Sequence, residues 1–277
     1  MCKRGKSPTT FCPIIRCLAL PLLNVSLATV PSIIKRFIHP TMPMAWVMRQ
    51  DWVDLSMLHW RLSEAAAARL SDQLPNGVEL DYFEGEAWVT VVPFRMAKIR
   101  PRFLPWVPFL SNFPELNLRT YVTVNGQAGV WFLSLDTPSR SAVYIGCKWY
   151  SLPYFRSSQK IKYDSQSQHF QSNRATSKLD VKVERESEYT TAADSTIEEF
   201  LFERYCLVSS HRGQIHVVDV EHAPWEFATA SCSIQENTIT SELACGLDLE
   251  IDSTTPDYCH ITPGVSTRIF RAKRFTS

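Results

Sequence analysis

The stretch Phe113-Pro114-Glu115-Leu116-Asn117-Leu118-Arg119-Thr120-Tyr121 carries a chemically capable group at every second position. Side chains in an extended strand alternate between faces. Glu115, Asn117, Arg119 and Tyr121 therefore share one side, and Leu116, Leu118, Thr120 and Val122 share the other. An acid, an amide, a guanidinium and a phenol in a row suit the polar lining of an apolar enclosure. The carboxyl can move a proton, the guanidinium can hold an anion, and the amide and phenol can donate hydrogen bonds. The plain alternative is a half-exposed strand whose polar side faces water. A carboxylate among aromatic residues is costly unless paired, so Arg119 is expected to partner Glu115.

Further polar residues sit in aromatic surroundings: His59 beside Trp60, Tyr154 after Pro153, Arg204 before Tyr205, and His222 near Trp225. Any of these histidines could equally be a satisfied core residue, and the tryptophans could be core fillers. Standard catalytic signatures are missing. There is no phosphate-cradling glycine loop, HExxH or GxSxG, and His211 and His216 stand five apart, a poor spacing for a metal on a helix or a strand. The sequence therefore predicts neither a metal nor a cofactor.

The elements that must position these groups are mostly strands. Ser63 is a plausible N-cap for a short helix over 64–70, ended by Pro75-Asn76-Gly77. Residues 87–94 are apolar on both alternating faces, which predicts a strand covered on both sides. Residues 100–114, rich in proline and aromatics, read as an irregular connection. Asn125-Gly126 between two apolar runs predicts a hairpin. Periodicity leaves 142–150 open between strand and helix. Residues 156–193 read as solvent-facing hairpins, Ser195 and Thr196 offer overlapping capping boxes, and 214–221 reads as a strand delivering His222.

The 277 residues carry a formal charge of +1, which conceals an asymmetry. Residues 1–43 hold six basic residues and no acidic one, leaving 23 basic against 28 acidic in the body, a formal −5. An acidic body without a basic stripe argues against a nucleic-acid surface. The leader contains an apolar run, 17–30, broken by Pro21 and Asn24 and too short to span a membrane. It reads either as a signal peptide or, the favoured reading, as an upstream start with translation beginning at Met42, Met44 or Met48. Five scattered cysteines in the body, without CxxC spacing, suggest reduced packed thiols and a cytoplasmic location. The expected organisation is a leader over 1–43, a single domain over 44–245, and a tail over 246–277.

At these residues the chain resembles the YqjF-like family of unknown function. The resemblance is carried by Arg49-Gln50-Asp51-Trp52, His59-Trp60, the run 80–85, Val91-Val92-Pro93-Phe94, the run 113–122, the run 129–136, Leu152-Pro153-Tyr154, Glu203-Arg204-Tyr205 and His222-Ala223-Pro224-Trp225. That family is similar to the acetoacetate decarboxylase-like superfamily. The resemblance implies a β-rich α+β fold: an antiparallel barrel-like sheet around a central cavity, with a few short helices. Decarboxylases of that superfamily place a Glu on a strand facing the cavity, and Pro114-Glu115 matches it. They also carry a Pro followed by two lysines, the first forming a Schiff base. Here Pro153 precedes Tyr154 and Phe155, so both lysines are missing; Lys148 or Lys160 would need to reach the cavity to replace them, and nothing in the spacing supports that.

Three functional expectations follow. The leading one is a binding module for a small carboxylate or carbonyl compound, with no nucleic acid and no membrane as partner. Arg119 or Arg204 would hold the anion, Tyr154 and Asn117 would donate hydrogen bonds, and Tyr121 and His222 would complete the lining. The second is an enzyme in which Glu115 is the general base and Tyr154 or His59 the acid, for lyase or enolisation chemistry. The third is a structural protein whose barrel is filled by its own side chains.

Overall fold

Asn125 and Gly126 take φ values of 51° and 76°. A two-residue hairpin turn requires this left-handed pair, and Asn and Gly adopt it at low cost. The strand bearing Glu115 and Arg119 is thereby folded back on its successor, with Val124 opposite Gln127. The computed structural model describes residues 45–107 and 111–276, so the leader expected over 1–43 lies outside the described residues.

The strands are β1 (Met48–Arg61), β2 (Glu79–Leu80), β3 (Trp88–Pro101), β4 (Phe113–Val124), β5 (Gln127–Thr137), β6 (Tyr154–Arg156), β7 (Ser158–Tyr163), β8 (Ser167–Arg174), β9 (Ser177–Arg185), β10 (Thr190–Thr191), β11 (Cys206–His211), β12 (Gln214–His222), β13 (Glu226–Asn237), β14 (Tyr258–Ile269) and β15 (Lys273–Thr276). The helices are α1 (Glu64–Gln73), α2 (Arg140–Trp149), α3 (Ile197–Phe202) and α4 (Glu242–Cys245). Ser63, Ser139 and Thr196 cap the first three, each accepting an N–H of the first turn. The segment left open between strand and helix is thus α2.

β3, β4 and β5 pair in sequence order, β5 meets β11, β11 pairs β12, and β14 bridges β12 and β1, which returns to β3. The result is a closed seven-strand barrel. All these pairings are antiparallel except β5 with β11, which meet in parallel over Leu207–Val130 and Val208–Trp131. From β14 the sheet continues through β13 to β9, β8 and β7. Phe170, Val181 and Val183 of this extension pack with Leu58, Val91, Leu116 and Leu118 in one buried cluster, together with Leu70 of α1. Met57, Val92, Phe94, Tyr121, Val130 and Trp225 form a second cluster, joined by Leu201 and Phe202 of α3. The barrel wall is therefore buried on both faces, as the doubly apolar run at 87–94 requires.

Residues 246–277 are a correction to the expected domain limits. They contribute β14, whose pairs with β1 run from His59–Tyr258 to Met48–Ile269 and whose pairs with β12 close the barrel. Pro263 and Gly264 fall inside this strand and weaken its sequence pattern. Gly264 is required there: at φ 106° its missing β-carbon would lie 2.0 Å from the Trp52 carbonyl oxygen. No helix among the described residues is long and apolar enough to cross a membrane.

Candidate functional site

β4 presents its odd-numbered side chains to the barrel interior. Glu115, Asn117 and Arg119, at most 9% exposed, line a cavity of about 70 Å³. Its remaining wall is largely apolar, including Leu55, Met57, Val92, Phe94, Phe132 and Trp225. The expected Glu115–Arg119 pair is absent. Their α-carbons lie about 13 Å apart along the strand, and each group turns to a different partner. Glu115 instead accepts a hydrogen bond from the Tyr154 hydroxyl at 3.0 Å.

Tyr154 begins β6, which lies parallel to β5 with Leu135 opposite Tyr154. The Leu135 N–H donates to the Pro153 carbonyl at 3.0 Å and anchors the approach. On its other side the Tyr154 ring lies against α2 at Gly146, where a β-carbon would fall 2.2 Å from the ring. Burial lifts the Glu115 carboxyl from 4.5 to about 8, and the Tyr154 hydrogen bond opposes the rise. The Tyr154 hydroxyl is pushed well above the usual phenol range by burial and by the carboxyl it faces. Near neutrality the pair is therefore an un-ionised acid beside an un-ionised phenol.

Arg119 donates to the Leu201 carbonyl at 3.3 Å, one of the open carbonyls at the end of α3, and contacts the Met57 sulfur at 3.7 Å. Among the described residues no carboxylate pairs with it, and its Nε is buried without a partner, as is the Asn117 Oδ1. Arg204 also lines the cavity, but its guanidinium is bound to Asp81 and to the Phe200 carbonyl. The Tyr121 ring lies near both guanidiniums, its centroid 5.7 Å from the Arg119 Cζ and 5.1 Å from the Arg204 Cζ.

Five of the sequence-predicted residues thus gather at one cavity: Glu115, Asn117, Arg119, Tyr154 and Arg204. Three do not line it. The Tyr121 hydroxyl bonds to Thr90 at 2.7 Å, and Thr90 bonds to His59 Nδ1 at 2.9 Å, a buried chain. Burial, His260 and Arg119 all push the His59 imidazole well below its ordinary range, so it is neutral. His222 stacks on Tyr205 at 4.4 Å and contacts the Ala223 and Arg204 carbonyls. Among the described residues no lysine lines the cavity, and Lys148 and Lys160 are exposed. Among the described residues no three His, Cys, Asp or Glu side chains gather closely enough to hold a metal ion.

Sequence reasoning missed Gln50 and Leu152 in the wall and Gly146 behind Tyr154. An isolated glycine inside a helical run was the available signal for the last.

Residues 49–266 match DUF2071, a family described as an uncharacterized conserved protein. The chain belongs to the DUF2071 family. A DUF2071 relative, the uncharacterized protein YqjF of Bacillus subtilis strain 168, is 35% identical over 198 residues, 70% of this chain and 81% of that protein. The DUF2071 fold seen here is shared with an acetoacetate decarboxylase from Legionella pneumophila, at a TM-score of 0.57 and 12% identity, covering 91% of this chain and 98% of that one. It is shared also with the enduracididine biosynthesis enzyme MppR, complexed with the condensation product of pyruvate and imidazole 4-carboxaldehyde, at 0.54 and 11%, covering 85% and 91%. These likenesses establish an acetoacetate decarboxylase-like fold for this DUF2071 chain.

Proposed function

We propose that the barrel chamber binds a small monoanionic carboxylate carrying a second, carbonyl-type oxygen, without forming a covalent bond to an amine. The observation that carries this reading is an unbalanced charge in an apolar enclosure. Arg204 is offset by Asp81, Glu115 is protonated near neutrality, and Arg119 faces the chamber with no carboxylate partner among the described residues. A buried guanidinium in that position is costly until an anion pairs with it. Tyr154 donates to Glu115 Oε2, which leaves the acid proton on the other oxygen for a ligand carbonyl. The names of fold relatives support the class: one is an acetoacetate decarboxylase, and MppR was complexed with pyruvate.

The alternative is catalysis at the same pair. A carboxyl with a pKa of about 8 has the strength for proton transfer near neutral pH. Its protonated state makes Glu115 the acid rather than the expected base, and Tyr154 the hydrogen-bond donor that orients it. An enolisation or hydration step would follow.

Calorimetry with pyruvate and with acetoacetate tests the binding reading. Saturable binding to the parent and its loss in Arg119→Met are expected; no binding by the parent overturns the proposal. Proton NMR of the same mixtures separates the readings, because turnover lost in Glu115→Gln identifies an enzyme. Borohydride trapping should leave the protein mass unchanged.

A further inference from the structure

The space around Arg119 shares part of its wall with a second space. The second measures about 160 Å³, and the two share Gln50, Met96, Glu115, Leu152, Tyr154 and Leu207. Three strands order the walls in the same way. On β4, Phe113 lines the second space alone, Glu115 lines both, and Arg119 lines the first alone. On β1 the corresponding order is Met48, Gln50, Trp52, and on antiparallel β3 it is Ile99, Met96, Phe94. The two spaces therefore follow one another along the strands, a cationic inner one and an outer one, with Glu115 and Tyr154 as a polar waist at their shared wall. Val218 and Ile269 add to the apolar outer wall, and α2 covers it with Ala142 and Ile145.

The two spaces differ in size as well as polarity. The inner space of about 70 Å³ is less than half the outer one and suits a head group of a few atoms. The outer space of about 160 Å³ matches an apolar cavity of roughly 150 Å³ that accepts benzene. A head group of three or four atoms would leave it empty, and a long lipid chain would exceed it.

Resting on the reading above, we propose that the ligand is an elongated oxo acid: its carboxylate meets Arg119, its oxo oxygen meets the Glu115–Tyr154 waist, and an apolar tail of about six carbons fills the outer chamber. The waist then acts as a ruler between head and tail. Acids without a tail bind through the head alone and gain nothing from the outer chamber.

Calorimetry of the intact protein with straight-chain 2-oxo acids, from pyruvate to 2-oxododecanoate, tests this. Affinity should rise about threefold to fourfold per methylene, reach a maximum near 2-oxooctanoate, and fall for longer chains. Equal affinity at every length overturns the tail assignment while leaving the head-group reading in place. An unbroken rise through the longest acid also overturns it, since that is adsorption without a chamber of fixed length. No binding at any length overturns the head-group reading and the tail with it. In Ala142→Phe, which fills space under α2, the optimum should move to acids two or three carbons shorter. An unchanged optimum in that variant overturns the placement of the tail. The ranking of acids within one preparation is independent of the fraction folded.

Discussion

Glu115 and Arg119 face one chamber from one strand and form no ion pair: the acid is held by Tyr154 and the guanidinium by the Leu201 carbonyl. This separation keeps a protonated acid and a cation available in the same apolar space, and the predictions below depend on it.

The Glu115 carboxyl has a pKa of about 8 when folded against 4.5 ordinarily. Between these values the folded chain holds a proton that the unfolded chain releases. Stability therefore falls as pH rises from about 4.5 to about 8 and levels off above that. Glu115→Gln should remove this slope and exceed the parent at pH 9 by several kcal/mol at most. Urea midpoints at pH 5, 7 and 9 measure it; parallel parent and variant profiles would refute a buried acid.

Arg119 and Arg204 should respond in opposite ways. Arg119→Met removes a buried cation that lacks a carboxylate partner, so stability should hold or rise while acid binding falls at least a hundredfold. Arg204→Met strands the partly exposed Asp81 and frees the Phe200 carbonyl, so it should destabilise the chain by about 1–3 kcal/mol. Thermal unfolding beside calorimetry reads both. Equal destabilisation by the two changes would contradict the charge assignment.

Tyr154 should tune Glu115. In Tyr154→Phe the carboxyl loses the hydrogen bond that opposes its rise, so its pKa should climb above about 8. Carbon-13 NMR of labelled Glu carboxyls follows the titration, and a pKa lower than in the parent would reverse the cause proposed. Gly146→Ala places a β-carbon 2.2 Å from the Tyr154 ring. It should cost about 1–3 kcal/mol and shift the same titration upward.

Deleting residues 258–277 should open the barrel, because β14 is the bridge between β1 and β12. The truncated chain should lose its cooperative thermal transition and bind a hydrophobic dye. A sharp transition retained would mean the barrel closes without β14.

The binding pH profile follows from the same acid. As Glu115 ionises above pH 8, the chamber loses its unbalanced positive charge. Affinity for a 2-oxo acid should fall toward tenfold per pH unit above 8, with little change between pH 6 and 7. Calorimetry across pH 6–10 checks it.

Several elements were legible from local pattern alone. Alternation placed Glu115, Asn117 and Arg119 on one face, Asn125-Gly126 announced the hairpin, and Ser63 and Thr196 announced helix starts. These are short-range effects of backbone geometry and side-chain type, and they act within a few residues. The ordered motifs along the chain also carried the fold class through their resemblance to a known family.

Tertiary structure decided the rest. Whether 142–150 became a strand or a helix depended on what packed beside it, and α2 lies where Gly146 admits the Tyr154 ring. β14 was hidden because Pro263 and Gly264 break its pattern, while its strand identity comes from long-range pairing with β1 and β12. Arg119 and Arg204 look alike in sequence. Both line the chamber, and only the approach of Asp81, 123 residues from Arg204, neutralises one and leaves the other without a carboxylate among the described residues. Sequence by itself set which groups share a face. Their partners, protonation and access were set by residues brought together from distant parts of the chain, because burial and electrostatics act through space rather than along the backbone.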